Sequence, residues 1–423
     1  MHVVVVGAGV VGVTTAWALR QRGYQVTVVE RLEQAGLETS RANAAQRSYG
    51  VVYPWASAAM VRKALPMLLN KDGALKMAMP PSLTTLRFLF DTLRFAYSPG
   101  LYGLNRRAML RLAMHSRDCF ARLHDTLDLA FDGEHGGLLH LASSPAALAE
   151  YRGTKVLLDE LGIANRLLTP AQVREAEPGM TGSGPLHGAL SFDTDGTGDC
   201  HLFTQALARA CEAEGVGFRF RTGVRCLVAD DHRVSAVELQ REGGAPETLA
   251  ADAVVIAAGC ASPGLLHGLG MRVPIYPVKG YSLTTEMTDL SRGPRSTVHD
   301  DYFKVVSTRL GERLRVTGFV ELSGFNRDIP ERRLDTLRKS VAARFPGAAD
   351  LTDARQWTGF RPMTPDGPPM IGRGPRENLF LNTGHGTFGW TFSAGSAELI
   401  AQVIDGETPA LNLDPFRPGR FSE

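Results

Sequence analysis

The first thirty residues set the pattern of the chain. Val3 to Val6 are an unbroken β-branched run with no polar alternation, the pattern of a strand buried on both faces. Gly7-Ala8-Gly9-Val10-Val11-Gly12 follows and opens directly into VTTAWALRQRG, where apolar residues recur at helical spacing up to a C′ glycine, Gly23. Tyr24–Val29 returns to strand and ends in Glu30.

Further along, the periodicity predicts helices over Asn105–Phe131, Pro145–Leu161, Pro170–Glu177, His201–Gly215, Glu331–Phe345 and Trp390–Asp405. The last but one carries Arg333, Arg338 and Lys339 on its polar face. Strands are expected at Gly136–Ser143, Leu167–Thr169, Leu186–Asp193, Val216–Arg221, Ala253–Ala257 and Asn378–Asn382. Val224–Ala229, Val234–Gln240 and Thr248–Leu249 read as a meander. Tyr276–Thr285, Tyr302–Ser307 and Arg313–Phe319 read as antiparallel strands. Trp357–Gly372, rich in proline, reads as a loop carrying Arg361 amid apolar residues. In SLTTLRFLFDTLRFAY, Leu83, Leu86, Leu89, Phe90 and Leu93 stand at helical spacing, with Arg87, Asp91 and Arg94 opposite. That face is expected to meet the core. The alternative is a surface helix dipping into a membrane interface.

The glycine-rich turn between the first strand and the first helix carries chemistry. Gly7 permits the tight turn, Gly9 lets the backbone approach a pyrophosphate, and Gly12 lets the helix sit close to the strand. The helix start supplies free N–H groups and a positive dipole end. Glu30 is placed to accept the hydroxyls of an adenosine ribose, which disfavours a 2′-phosphate and hence NADP. Strand, helix, second strand and acid in register indicate dinucleotide binding, either FAD or NAD. Ala257-Ala258-Gly259, at the end of a second apolar strand, are small enough to lie beneath the ADP half. Gly384-His385-Gly386-Thr387-Phe388-Gly389 is a second glycine-rich turn into a helix, and therefore a second anion-favouring site. A flavin needs two such sites, because negative charge collects on its pyrimidine side on reduction.

At 423 residues the chain has material for two domains or one large one. A formal charge of +2 gives no reason to expect nucleic acid. Five scattered cysteines without a CxxC pair read as reduced thiols, not a disulfide frame or zinc site, and no metal is expected. No stretch approaches the ~20 apolar residues of a membrane span. The first strand leaves no room for a signal peptide, so a cytoplasmic location is expected. GxSxG, HExxH and GxxxxGK[ST] are absent, which removes the usual hydrolase readings.

GAGVVGVTTAWALRQRGYQVTVVER, ETSRANAAQ, DTDGTGDCHLFTQALA, VKGYSLT, GFRPMTPDGPPMIG and NTGHGTFGWTFSAGS occur in this order. Together they resemble the bacterial D-amino acid dehydrogenases of the small-subunit type, within the D-amino acid oxidase, glycine oxidase and sarcosine oxidase superfamily. The resemblance implies an α/β fold with a Rossmann-type FAD domain drawn from residues 1–80, 198–270 and 356–423. Residues 81–197 and 271–355 would form a substrate domain with a mixed, largely antiparallel sheet. It implies non-covalent FAD, with Val6, Gly7, Gly9, Val10, Val11 and Gly12 at the ADP portion, and Glu30 and Arg31 near the ribose. Ser40, Asn43, Ala44, Ala45 and Gln46 fall in the loop under the flavin ring, and Val224 at the adenine. Ala257 to Gly259 lie under the ADP half. Gly384, His385, Gly386, Thr387 and Gly389 map onto the pyrimidine side, and Arg361 onto the arginine that binds the substrate carboxylate.

The implied reaction is oxidative deamination of a D-amino acid. Hydride passes from Cα to flavin N5, and the imino acid hydrolyses to a 2-oxo acid and ammonia. Tyr281, Tyr53 and His385 are candidates for shaping the pocket or lowering the amine pKa. Electrons would go to a quinone-type acceptor, with peripheral contact at the inner face of a bacterial membrane. Two other readings stay open: a soluble oxidase or dehydrogenase acting on glycine, sarcosine or D-hydroxyproline, and a non-catalytic NAD-binding Rossmann module. The sequence departs from the dehydrogenase pattern at Ala45, where glycine is usual, and across Arg47, Tyr49 and Tyr53.

Overall fold

The β-branched run lies inside a six-stranded sheet. The computed structural model describes residues 1–69, 73–133, 136–241 and 243–421. In it His2–Val6 pairs in parallel with Gln25–Val29 on one side and Ala253–Ile256 on the other. Leu379–Thr383 extends the sheet in parallel, Met370–Arg373 closes that edge antiparallel, and Gly217–Arg219 forms the opposite edge. Alternation explains the lack of polar residues. Val3 and Val5 pack against the helix Val10–Gln21 and its neighbours through Val13, Ala16 and Leu19, whereas Val4 and Val6 pack against Val237 and Leu239. Those last two belong to the antiparallel meander Thr222–Ala229, Val234–Arg241 and Glu247–Ala250. The first helix also meets Gly389–Asp405. The Thr14 hydroxyl donates to Ser393 O at 3.1 Å and Asn382 Nδ2 donates to Thr15 Oγ1 at 2.9 Å, so the two glycine-rich turns are tied together.

The second sheet has nine strands. Its main path runs Arg355–Met363, Tyr276–Glu286, Arg313–Leu322, Val305–Leu310, Thr297–Asp300, Leu138–Ala142, Gly188–Phe192, Arg166–Leu168. Leu75–Met77 pairs with Arg313–Leu322 off that path. The pairing is mixed and largely antiparallel, as expected, with Thr297–Asp300 parallel to Leu138–Ala142. Helix Glu331–Arg344 buries Leu334, Leu337 and Val341 in one cluster with Tyr281, Leu283, Leu314 and Val316 of this sheet.

Three local expectations are corrected, and one helix is found where none was expected. Trp357–Gly372 is not a loop throughout: Arg355–Met363 is a strand, with Arg361 opposite Val278, and Met370–Arg373 is another. Pro362 is tolerated because that strand lies at the sheet edge, where a missing N–H breaks no ladder. Helix Leu83–Ala96 turns its leucine stripe outward. Leu83 is 63% and Phe90 69% exposed, with Leu86 and Leu93 exposed as well, whereas Thr85, Phe88, Asp91 and Thr92 are buried. Phe88 decides this, stacked between Trp55 and Tyr276 with centroids at 5.5 and 4.7 Å, and the buried Asp91 pairs with Arg272 at 2.6 Å. Arg333, expected on a polar face, is buried over the Phe319 ring and donates to Gly73 O at 2.8 Å. Finally, Ala58–Leu69 is an unexpected helix with Pro66 inside it.

Candidate active site

A cavity of about 1120 Å³ lies between the two sheets, above the ~300–1,000 Å³ of common small-molecule pockets. It is lined by every site residue expected from the sequence except Gly12. Gly12 instead makes the turn possible: a β-carbon there would stand 1.8 Å from Gly7 O. Gly7 itself has φ +106°, and a β-carbon would come within 2.8 Å of Ala257 O. Strand end, turn and helix are in contact with no side chain between them.

At the first turn, Glu30 accepts backbone N–H groups from Ala8 at 2.8 Å and Leu32 at 3.0 Å, which holds its carboxylate at the cavity wall. The Val10 N–H donates to the Ser40 hydroxyl at 3.0 Å. Val11 and Gly12, in the first turn of the helix, have no intrahelical acceptor for theirs. Arg31 pairs with Glu38 at the mouth, and Arg327 meets the same carboxylate at 2.8 Å.

The loop Asn43–Gln46 is strapped to the second sheet. Asn43 Oδ1 accepts the Ala45 N–H at 3.0 Å, and the Thr308 hydroxyl donates to Ala44 O at 3.1 Å. Ala45 has φ +61°, a left-handed conformation that glycine enters without cost. This chain keeps that conformation with alanine. Immediately behind, Arg47 is buried with its guanidinium 5.3 Å from the Phe120 and Phe131 centroids and 5.6 Å from that of Trp390.

At the second turn, His385 Nε2 lies 3.2 Å from the Ser396 hydroxyl, and burial lowers the imidazole pKa to about 3, so the ring is neutral. Arg361 crosses from its edge strand to the carbonyls of Phe319 at 3.0 Å and Lys279 at 3.4 Å. It forms no ion pair among the described residues, and burial lowers its pKa to about 10. Tyr281 donates its hydroxyl to Glu321 at 2.6 Å, and burial together with that carboxylate raises the phenol above its usual range. Glu321 also meets the buried Lys279 at 3.2 Å, so the tyrosine hydroxyl belongs to an ion network. Tyr53 stands at the rim, edge-on to Phe388 at 5.9 Å.

Among the lining residues that escaped the sequence reading are Gly280, His140 and His299. Gly280 had a signal, a glycine inside a strand pattern, which marks close approach of another group. His140 had one too, as the single polar residue in LLHLA. His299 sits opposite His140 in register, their rings stacked at 4.0 Å. Among the described residues no group of three His, Cys, Asp or Glu side chains is placed to hold a metal ion.

Residues 2–403 match the family model described as DAO, FAD dependent oxidoreductase. A D-amino acid dehydrogenase of Cereibacter sphaeroides is 45% identical over 97% of this chain and 93% of its own length. One of Vibrio vulnificus is 41% identical over 99% of both. Among solved structures, glycine oxidase from Geobacillus kaustophilus superimposes with TM-score 0.77 at 23% identity, over 99% of this chain and 98% of that one. L-proline dehydrogenase from P. horikoshii gives 0.75 at 19%, over 100% and 97%. Both share the fold.

Proposed function

The chain belongs to the FAD-dependent oxidoreductase family, and from that premise we propose that it oxidises D-amino acids to 2-oxo acids and ammonia and passes the electrons to a quinone-type acceptor. The observation that carries the substrate reading is Arg361. Its partners are main-chain carbonyls alone among the described residues, and a partly buried cation at a cavity wall calls for an anion. An amino acid carboxylate matches the fork of a guanidinium in bidentate fashion.

The residues present fit FAD. The Gly7–Gly12 turn brings backbone to the cavity with no glycine β-carbon in the way, Glu30 lines it and would meet the ribose, and the start of Gly389–Asp405 lines it too. FAD, when bound, supplies the two-electron acceptor for the Cα–H bond. Arg361 fixes the carboxylate and so orients Cα. His385, neutral, leaves a neighbouring amine free of an opposing charge. An amine entering neutral needs no base on the protein, so oxidation to the imine and hydrolysis in water complete the reaction. Val11 and the Gly386–Gly389 turn would hold the two anionic portions of the cofactor.

The outward stripe of Leu83–Ala96 supports an electron route at a membrane. Leu83, Leu86, Phe90, Leu93 and Tyr97 form an exposed apolar row on a helix pinned from behind by Phe88. No helix among the described residues is long and apolar enough to cross a membrane, so contact would be peripheral.

Anaerobic titration of the purified protein with D- and L-amino acids tests the reading. Bleaching of the flavin band by D-isomers, with 2-oxo acid and ammonia produced in equal amounts, is expected. Bleaching by L-isomers alone, or by none of the panel, overturns it.

A further inference from the structure

The same cavity that is lined by Arg361 also contains a stacked pair of imidazoles. His140 is 7% exposed, within a strand whose neighbours are leucine, and its Nε2 is buried with no hydrogen-bond partner. Its ring stacks on His299 at 4.0 Å and stands edge-on to Phe192 and Tyr151 at 6.0 and 6.3 Å. His299 Nε2 is 3.0 Å from Gln46 Oε1, which also accepts the Ser48 hydroxyl at 3.1 Å. Both histidines and Gln46 line the cavity. Leaving a buried ring nitrogen unpaired is costly, and two leucines would pack the same space without that cost.

The surrounding charges are already paired. Asp300 meets Arg344 at 2.6 Å, and Asp301 is taken by Lys304 and by the Ser143 hydroxyl at 2.7 Å. Tyr151 gives its hydroxyl to Leu141 O at 3.3 Å. What remains turned to the cavity is neutral and able to form hydrogen bonds. Burial lowers both imidazole pKa values, that of His299 to about 4, so neither ring attracts an anion as a cation would.

The spacing suits an amino acid. Arg361 rests on Phe319 O, and two strands, Val305–Leu310 and Thr297–Asp300, separate the strand of Phe319 from that of His140. At about 4.8 Å per strand step the two anchor strands lie roughly 14 Å apart. The arginine reaching in from one end and a hydrogen bond from the imidazole at the other leave room for a carboxylate joined to an extended polar side chain.

We infer that His140, oriented by its stack on His299 and by the Gln46 brace, forms a subsite for the uncharged hydrogen-bonding side chain of the substrate, a carboxamide in the first place. This rests on the proposed oxidation of D-amino acids and names its substrate class. His140 is a contact residue in it; His299 and Gln46 are positioning residues.

The test is the ratio of kcat/KM for D-glutamine over D-norleucine, of similar length without the amide. A ratio of about tenfold or more is expected in the native protein, the worth of one well-made hydrogen bond. His140→Leu should bring the ratio close to one while flavin content is retained, and His140→Gln should restore part of it. A native ratio near one, or equal loss on both substrates in His140→Leu, overturns the subsite. So does a preference for D-glutamate over D-glutamine, which would mark an acidic side chain. Turnover of D-norleucine with no advantage for D-glutamine defeats this inference alone. No reduction by any D-amino acid defeats the functional reading with it.

Discussion

The Arg361 guanidinium lies across Gly280, so that a β-carbon added to Gly280 would stand 2.7 Å from both of its terminal nitrogens. The arginine reaches its anchoring carbonyls only because the facing strand has a glycine there.

Arg361→Lys keeps a cation and loses the fork. We expect KM for a D-amino acid to rise by roughly thirty- to several-thousand-fold, corresponding to ~2–5 kcal/mol for a desolvated charge contact, with flavin still bound. Steady-state kinetics beside a flavin absorbance ratio decide it; an unchanged KM would remove Arg361 from substrate binding.

Gly280→Ala tests the same contact from the other side. The flexible guanidinium, not the backbone, must give way, so the fold should survive. A displacement of about 1 Å can cost as much as ~100-fold in activity. Native kinetics in this variant would show that the clamp does not depend on that approach.

Ala45→Gly should hold or raise stability. Alanine in the left-handed region costs ~1–2 kcal/mol, against ~0.4–1 kcal/mol of extra unfolded-state entropy for glycine. The expected gain is up to about 1.6 kcal/mol, read as a higher thermal midpoint, whereas Ala45→Val should lower it. A clear loss in Ala45→Gly would contradict the strain at φ +61°.

Asp195 accepts backbone N–H groups from Tyr49 at 3.0 Å and Gly50 at 3.4 Å, and burial raises its pKa to about 7 from an ordinary 3.8. The folded state then binds the proton more tightly than the unfolded one, so this group's contribution falls as pH rises between about 4 and 7. Asp195→Asn removes that contribution. Its midpoint relative to the native protein should therefore climb across the window, and a constant difference from pH 4.5 to 7.5 would refute the assignment.

Leu86→Glu with Phe90→Glu places charge on the exposed stripe without touching Phe88. Vesicle-stimulated quinone reduction should fall while turnover with a soluble dye is kept. Equal turnover with and without vesicles in the native protein would end the membrane proposal.

The parts of this molecule legible in sequence are those whose causes are local. A strand, a turn that cannot carry side chains and a helix start lie together in Met1–Arg31, and the second turn at Gly384–Gly389 announces itself the same way. Legibility fails where a distant residue decides. The outward face of Leu83–Ala96 follows from the Trp55–Phe88–Tyr276 stack, whose members are remote in the chain. Arg355–Met363 reads as loop because of its proline, and only its place at the sheet edge makes that proline harmless. His140 and His299 become neighbours through a parallel pairing that no spacing reveals.

The strand order of the six-stranded sheet brings together segments far apart in the chain. His2–Val6 precedes the other strands of this sheet in the chain, its neighbour Ala253–Ile256 follows about 250 residues later, and Leu379–Thr383, which leads into the second turn, comes last. A chain shortened before residue 379 lacks Leu379–Thr383 and the second glycine-rich turn, one of the two proposed holds on the coenzyme. Products shortened in this way should emerge colourless.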